Sequence, residues 1–481
     1  MNKHYLPILL LMSALMALSS CAAIKTYHRE EVPYADSLIR ISFQQKIDSS
    51  QLQHFSVSDY TWRSMYTDAM LIRLLEEGLA NNLDLKIAQA RIEQAEAYLK
   101  KAKAAYAPTL GLNASGEISQ PLGTVGQGTL IQSYSLGAST TWELDIWGKI
   151  TAAKRSKYAA YMAQQSSKQA VTSTLIANLA GGYYTLIALD TERALVEQTI
   201  INRTEYLGTV KSLMKSAQTT QVAVLQAQAQ LSEAQSYLPQ IEMAIQKMEN
   251  TLCLLLGKPS QPIARTGKIP IYTVTLQLGK VAPDPFPTNL SSLLLENRPD
   301  VREAEYGLMR YFNDWQVAKA AMYPSFSLSA DISATSQSFA TWFAMPASLI
   351  WSALANLAQP LFNGRALRTQ REAARKDFEV QLYTFRKAVL NAGMETSNAL
   401  LQTKALQQQM DCVRTQCESL KQAYEFSTEL FLNGYMDYLD VLTAQSDLFS
   451  SERSYIELAL SKIKAQIELF RALGGGAHAD I

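Results

Sequence analysis

Side chains that could do acid–base, nucleophilic or metal chemistry are thinly spread along this sequence. The four histidines are scattered without a ligand spacing: His4, His28, His54 and His478. Neither a phosphate-binding glycine loop nor a nucleophile elbow occurs. Cys253, Cys412 and Cys417 form no CxxC pair, which favours buried apolar packing over a disulfide or metal site. The sequence therefore predicts that the protein is not an enzyme and holds no metal or other cofactor.

The fourth cysteine, Cys21, stands at the end of an N-terminal export signal. Lys3 and His4 precede an apolar run from Leu6 to Leu18, and the ending LSSC resembles the bacterial lipobox, whose cysteine becomes an acylated N-terminus. An ordinary signal peptide with an incidental thiol is the alternative. Ala22 follows where an Asp would retain many Gram-negative lipoproteins at the inner membrane. We therefore expect a covalent lipid on Cys21 that anchors the chain to the outer membrane.

The rest of the chain contains the same sequence pattern twice. AKAAYAPTLGLNA begins at Ala102 and AKAAMYPSFSLSA at Ala318, 216 positions later, and LDIWGK at Leu144 and PLFNGR at Pro360 keep that offset. Since 481 residues exceed one ordinary core, two copies of one unit are expected. A net charge of +1 with 18% charged residues argues against a nucleic-acid partner.

The first copy switches from a helical period to a strand period and back. A helical pattern over residues 68–103 ends at Pro108, and apolar residues then alternate with polar ones over 109–119 and 133–146. Each strand could cross a bilayer at a tilt, which takes about nine to eleven residues. Gly148 ends the hairpin, and a helix is predicted from Lys149 to about Tyr206. The helix after it has the 3.5-residue repeat of a coiled coil, which Pro239 should kink or break.

The second copy follows a proline-rich connector. RPD at Arg298 to Asp300 favours a helix start. The other elements repeat those of the first copy: a strand after Pro324, a poorly alternating partner strand within 345–361, and helices over 366–432 and 437–473. No uninterrupted run of 18 apolar residues follows Cys21, so no transmembrane helix is predicted.

Four two-faced strands per chain pose an energetic problem. In lipid, an open sheet leaves unpaired backbone groups that are costly to bury, so the sheet must close with strands of other chains. Two chains supply eight strands and three supply twelve, and only the larger ring leaves an appreciable lumen. Aromatic residues for the membrane interfaces are available: Tyr134, Trp142, Trp147, Tyr323, Trp342, Phe343 and Trp351. A soluble sandwich is the alternative, which the long coiled-coil helices disfavour.

The sequence resembles the TolC-like outer membrane factors, in particular their NodT-type lipoprotein branch, from about residue 65 to 473. Four motifs carry the resemblance: WELDIWGK (142–149), LLLGKP (254–259), LLLENRPDVREAE (293–305) and NGYMDYLDVLTAQ (433–445). The resemblance implies a homotrimer with a twelve-stranded outer-membrane β-barrel, four strands per chain, continued by a periplasmic α-helical coiled-coil barrel. It implies a passive exit duct of a tripartite efflux pump, joined by a periplasmic adaptor to an inner-membrane transporter that we expect to be proton-driven.

The resemblance also assigns residue roles. The periplasmic tip turn would be Asn433, Gly434 and Asp437, and Leu439 and Asp440 match positions that narrow the pore in family members. A capping role at the helix start is the alternative for Asp437 and Asp440. The junctions between barrel strands and tunnel helices would be Pro108, Gly148, Pro324 and Gly364.

The predicted domain organisation follows the two copies. Its parts are a signal peptide (1–20), a lipid-anchored tether (21–65), a first repeat (66–257, hairpin about 109–147), an equatorial connector (258–290), a second repeat (291–473, hairpin about 323–361) and a C-terminal tail (474–481). Two alternatives to a drug or small-molecule efflux duct remain open. One is the exit duct of a type I protein-secretion system, and the other is a lipid-anchored coiled-coil scaffold without a pore.

Overall fold

The computed structural model describes residues 24–29, 62–120, 131–266, 298–346 and 348–475. The signal peptide, Cys21, most of the tether, most of the connector and the last six residues lie outside the described residues. The first half contains α1 (Trp62–Met65), α2 (Ala69–Asn81), α3 (Leu83–Ala104), β1 (Thr109–Ser119), β2 (Ile131–Glu143), α4 (Lys149–Lys215) and α5 (Gln221–Leu255). The second half contains α6 (Pro299–Ala320), β3 (Ser325–Ser336), β4 (Leu349–Ala358), α7 (Ala366–Leu432) and α8 (Tyr438–Ala472).

Three helix predictions differ from the structure. The pattern over 68–103 forms two helices, because Asn82 donates from Nδ2 to the Leu255 carbonyl oxygen (2.7 Å) and accepts at Oδ1 from the Leu85 N–H (3.0 Å). Helix α4 continues to Lys215, beyond the predicted end. Helix α5 runs unbroken through Pro239, so the predicted break is wrong, whereas the predicted kink stays a prediction. Pro239 and Gln235, whose carbonyl loses its helical partner, are both exposed, so water can satisfy that carbonyl.

The chain divides into two compact units. The first comprises the described parts of Met1–Glu31, Arg91–Gln165 and Glu303–Arg386, and the second comprises the described parts of Val32–Ala90, Ser166–Arg302 and Lys387–Ile481. The first unit holds one antiparallel sheet in the order β1-β2-β3-β4, so β2 and β3 join the two hairpins. Beside the sheet, α6 packs on α7 through the stacked rings of Trp315 and Phe378 (5.9 Å) and through the edge of Phe312 (5.7 Å from Phe378).

The second unit is held by a long apolar core between helices. Fully buried members from α1, α2, α4 and α5 include Trp62, Leu75, Leu179, Tyr183 and Leu252. The predicted helix start at RPD is found, with Pro299 as the first residue of α6 and Asp300 in its first turn. Buried Arg298 links this start to α7 and α8, donating to Glu395 Oε2 (2.7 Å) and the Ala472 carbonyl oxygen (3.0 Å). No helix among the described residues combines the length and apolar character needed to cross a membrane.

Candidate functional site

The sheet has one apolar and one polar face, and its register shows this row by row. Leu112, Ala138, Ile332 and Trp351 lie side by side across all four strands. The adjacent row, on the opposite face, is Gly111, Ser139, Asp331 and Ser352. Successive side chains of a strand point to opposite faces, so each strand contributes to both. Strand β4 is the exception to regular alternation, because Ile350 and Leu354 stand on the polar face.

Charge is confined to the polar face. The four strands contain three acids, Glu117, Glu143 and Asp331, and no Lys, Arg or His. All three acids share the parity of the polar row, and Ser352 donates a hydrogen bond to Asp331 from the neighbouring strand. The apolar face is open in the single chain, where Leu112 is 84% and Trp351 74% exposed. Such a face requires either lipid or another protein surface against it.

Most of the predicted interfacial aromatics gather in two groups at opposite ends of the strands. At one end, Tyr134 contacts Phe339 (5.6 Å) and Trp342 (5.8 Å), and Trp342 stacks on Phe343. At the other end, Trp147 stacks on Tyr323 (5.1 Å) and donates from Nε1 to the Pro324 carbonyl oxygen (2.7 Å). Trp142 Nε1 donates to the Tyr106 carbonyl oxygen (2.9 Å) at that same end. Indole N–H groups with such partners can sit where apolar and polar surroundings meet.

The four predicted junction residues stand where strands and helices meet. Pro108 and Pro324 directly precede β1 and β3. Gly148 and Gly364 have φ of +77° and +59°, a left-handed conformation that glycine adopts without the Cβ penalty. The first repeat adds an acid that sequence reasoning missed. Asp145 accepts hydrogen bonds from the N–H groups of Ile150 (2.7 Å) and Thr151 (2.8 Å), and so caps α4.

The predicted tip turn connects α7 to α8. Gly434 has φ of +76°, and Asn433 Nδ2 donates to the Glu429 carbonyl oxygen (2.8 Å). Asp437 occupies the N-cap position of α8, but its side chain accepts no capping hydrogen bond. Asp440 lies in the first turn, and its carboxylate is exposed and makes no hydrogen bond or ion pair within the described part of the chain. Leu439 beside it is 56% exposed.

An aromatic cluster, also missed from the sequence, holds the start of α8. Tyr438 is buried, stacks on Tyr206 of α4 (5.3 Å between ring centroids) and meets Phe431 of α7 at 6.0 Å. Burial raises the pKa of Tyr438 to about 12, although nearby Arg203 opposes the shift. The cluster fixes the Tyr438 side chain inward, while Leu439 and Asp440, which follow it, remain exposed. No local pattern around Tyr206 signals this contact, because its partners are more than 200 positions away.

The cysteines behave as predicted in two of three cases. Cys253 and Cys417 are buried and free, and Cys417 Sγ lies 3.0 Å from Ser451 Oγ. Cys412 is exposed, so its prediction as a buried filler was wrong. Among the described residues, no group of three or more His, Cys, Asp or Glu side chains is arranged to hold a metal ion.

A two-faced antiparallel sheet that continues into helices of 67 residues defines the class of TolC-like outer-membrane channels. The solved MtrE outer membrane channel of Neisseria gonorrhoeae, in its open state, shares this fold with a TM-score of 0.82. The match covers 95% of this chain and 99% of that one at 22% identity. The family model "Outer membrane efflux protein" matches residues 74–258 and 290–475. The chain belongs to this family, and its location is the outer membrane.

Two curated relatives span nearly the same length. The probable outer membrane lipoprotein SilC of Salmonella typhimurium is 26% identical over 97% of this chain and 98% of its own. The pyoverdine export outer membrane protein OpmQ of Pseudomonas aeruginosa is 29% identical over 87% of this chain and 88% of its own. The family's named role is efflux through the outer membrane, which agrees with the prediction that the chain is not an enzyme.

Proposed function

We propose that three copies of this chain form a twelve-stranded outer-membrane barrel continued by a helical periplasmic tunnel. The assembly serves as the passive exit duct of a tripartite efflux pump, with a periplasmic adaptor and an inner-membrane transporter as partners. One observation carries the proposal: a sheet with an apolar and a polar face ends at both edges in unpaired strands, β1 and β4. The apolar face suits lipid and the polar face suits a water-filled lumen.

The open edges make association of copies an energetic necessity. Strands β1 and β4 have 11 and 10 residues, and their outer N–H and C=O groups have no partner strand within the sheet. Leaving such groups unpaired in hydrocarbon costs several kcal/mol each, so β1 of one copy must pair with β4 of another. Helix α7 supports the same association with an exposed apolar stripe at coiled-coil spacings: Val380, Tyr383, Leu390, Met394 and Leu401.

Disulfide trapping between the edges tests this pairing. In a background with Cys253, Cys412 and Cys417 replaced by Ser, Asn113→Cys on β1 is combined in turn with Leu354→Cys and Asn356→Cys on β4. Oxidation should give a ladder of covalent products that ends at the trimer. The control replaces Asn113→Cys with Ser135→Cys on central strand β2, which cannot reach another copy. A ladder that ends at the dimer or continues past the trimer, or equal cross-linking of the control, contradicts the proposal.

The resting constriction is proposed to consist of Leu439 and Asp440. Their exposure beside a side chain fixed by the aromatic cluster supports this role, since three copies would present three of each around an axis. Close carboxylates repel one another and attract cations. We expect Leu439→Ala with Asp440→Ala to raise single-channel conductance and the uptake of large antibiotics. Asp437→Ala is the matched control, an exposed acid three residues earlier. Equal conductance of the wild type, the double variant and the Asp437→Ala control would contradict the proposed constriction.

The lipid anchor is proposed on Cys21. Residues 24–29 support it, because they run along α6. The Lys25 N–H donates a hydrogen bond to Gln316 Oε1 (3.1 Å), and Arg29 forms an ion pair with Glu305 (3.0 Å). Ile24 lies against Gly148 at a strand–helix junction, and Cys21 is three residues away, a reach of at most about 10 Å. Mass spectrometry of the N-terminal peptide should find the acyl chains, and Cys21→Ser should lack them. An unmodified or absent Cys21 in the mature protein contradicts the anchor.

The proposed cargo is a small molecule or ion. The relatives are named for exported pyoverdine, for solvent and for cations, which favours efflux over the protein-secretion alternative. Family membership likewise favours a channel over a scaffold without a pore. A strain in which the gene for this chain is deleted tests the role. The strain should lose resistance or export. This chain should restore the lost activity, whereas a chain trapped in a closed form should not. Normal export from the deletion strain contradicts it.

A further inference from the structure

A group of arginines at the start of α7 has no part in the duct proposed above. Arg365, Arg368, Arg371 and Arg375, here called the arginine patch, are all exposed. Spacings of three and four residues bring Arg368, Arg371 and Arg375 to one side of the helix over about two turns. Across the described part of the chain, none of the four guanidinium groups forms an ion pair, whereas neighbouring Lys376 pairs with Glu379 (2.7 Å).

Helix stability does not explain the patch. Cations near the N-terminal end of a helix oppose the helix dipole, and the first turn of α7 contains no acid to offset them. The helices that lead into the sheet, α3 and α6, also carry bases, but at their C-terminal ends. Lys101 and Lys103 of α3 and Lys319 of α6 lie in last turns, where the dipole favours positive charge. Glu372, Asp377 and Glu379 of the same helix offset part of this charge. Five bases against three acids between residues 365 and 379 leave a net charge of +2, which favours a source of negative charge outside the helix.

The first repeat supplies that negative charge from its own chain. Lys149, the counterpart of Arg365 at the 216-residue offset, pairs with Glu143 (2.9 Å). Asp145 caps α4 nearby. In the second repeat Gln359 and Leu361 stand at the positions of Glu143 and Asp145, so both acids are absent. Both junctions are basic, because α4 also carries Lys154, Arg155 and Lys157 near its start, but only the second repeat lacks the two acids that precede the helix.

An exposed apolar pair adjoins this surface. Leu361 and Phe362 are 97% and 91% exposed and lie between the end of β4 at Ala358 and the first arginine. Apolar side chains next to exposed cations are the arrangement of an interfacial membrane contact, in which the former enter the acyl boundary and the latter reach lipid phosphates.

We propose that the arginine patch binds the phosphate groups of anionic phospholipids in the leaflet bordering this end of the strands, with Leu361 and Phe362 inserted beside them. This inference rests on the proposed function, because it requires the sheet to cross the membrane. The bound lipid would give each chain a second contact with the membrane surface, made by a different repeat from the one beside Ile24.

Native mass spectrometry of the purified assembly, titrated with phosphatidylglycerol or with phosphatidylcholine of the same acyl chains, tests the proposal. Each arginine near an anionic surface contributes roughly a fivefold gain in binding, so R368Q/R371Q/R375Q should bind phosphatidylglycerol about a hundredfold more weakly. Binding of phosphatidylcholine should not change, and added salt should weaken the wild-type preference. The control K86Q/K211Q/K247Q removes three exposed bases from α3, α4 and α5 and should bind like the wild type.

Three results overturn this proposal without overturning the proposed function. The first is a conducting wild-type trimer with no preference for phosphatidylglycerol, which leaves the proposed function intact. The second is a patch variant that keeps its lipid preference but loses trimer stability, which would assign the arginines to a neighbouring copy. The third is a patch variant with unchanged lipid binding and altered ion selectivity, which would assign them to the lumen. A wild-type chain that forms no conducting assembly overturns this inference and the proposed function together.

Discussion

At the scale of single residues, Asp145 shows how one carboxylate fixes a strand-to-helix junction. It accepts two backbone hydrogen bonds and one from Thr151 Oγ1 (2.6 Å). Asp145→Ala should cost about 1–2 kcal/mol in the first turn of α4, because the N–H groups of Ile150 and Thr151 lose their acceptor. Hydrogen exchange at these two amides should accelerate, and Asp145→Asn, which keeps one acceptor, should show a smaller change. Unchanged exchange in the alanine variant would refute the capping role.

Asp68 provides a residue-scale prediction about pH. Burial alone would raise its pKa, but hydrogen bonds from Thr266, Tyr183 (2.7 Å) and the N–H groups of Met70 (2.8 Å) and Leu71 lower the pKa below its ordinary value. An Asp with a lowered pKa stabilises the folded state above its unfolded pKa of about 3.9, and this contribution disappears as the pH falls through the folded value.

The Asp68→Asn variant isolates this effect. Its stability should be lower than that of the wild type at pH 7, and the difference should shrink as the pH falls below about 4, because the wild-type carboxylate then becomes neutral as well. Denaturant unfolding of the two proteins, followed at both pH values by far-ultraviolet circular dichroism, measures the difference. A constant difference across the pH range would contradict the assignment.

At the scale of elements, the contact between β2 and β3 joins the two hairpins at a position with no room for a side chain. A Cβ at Gly137 would lie 2.7 Å from Ser333 Cβ and 2.9 Å from the Ile332 carbonyl oxygen. Gly137→Ala should therefore force the strands apart at a cost of about 1–3 kcal/mol. The heat-resistant folded species on a denaturing gel should decrease. Gly111→Ala, whose nearest contact is 3.7 Å away, is the control and should fold normally. Equal yields would contradict this packing argument.

The elements also show what a sequence can predict. Alternation placed β1 at Thr109–Ser119, and the 216-residue offset placed β4 within 345–361 although its own alternation is poor. The break at Asn82 was missed because the helical period continues through it and the interruption depends on the Leu255 carbonyl, 173 positions away. The N-cap position of Asp437 could be read locally, but not the absence of its side-chain hydrogen bond. The buried contact of Tyr206 with Tyr438 likewise follows from tertiary packing alone.

At the scale of the whole molecule, one physical requirement connects the sheet to the duct. A four-stranded sheet with an apolar face cannot remain open in lipid, and its two free edges are equivalent to those of any other copy. In the trimer proposed above, closure would produce twelve strands and bring the acids Glu117, Glu143 and Asp331 of the polar face to the inside. The same proposed trimer would present three copies each of Leu439 and Asp440 at the tip, which a single chain cannot do.

Planar-bilayer recording combined with native mass spectrometry of the same preparation tests the closed trimer most directly. The account predicts an assembly of three chains that conducts ions, with preference for cations because the strands contain acids and no bases. Conductance should rise in the variant that combines Leu439→Ala with Asp440→Ala, and the assembly should still contain three chains. A preparation of single chains, or one of three chains that inserts into the bilayer but carries no current in either protein, would contradict the account.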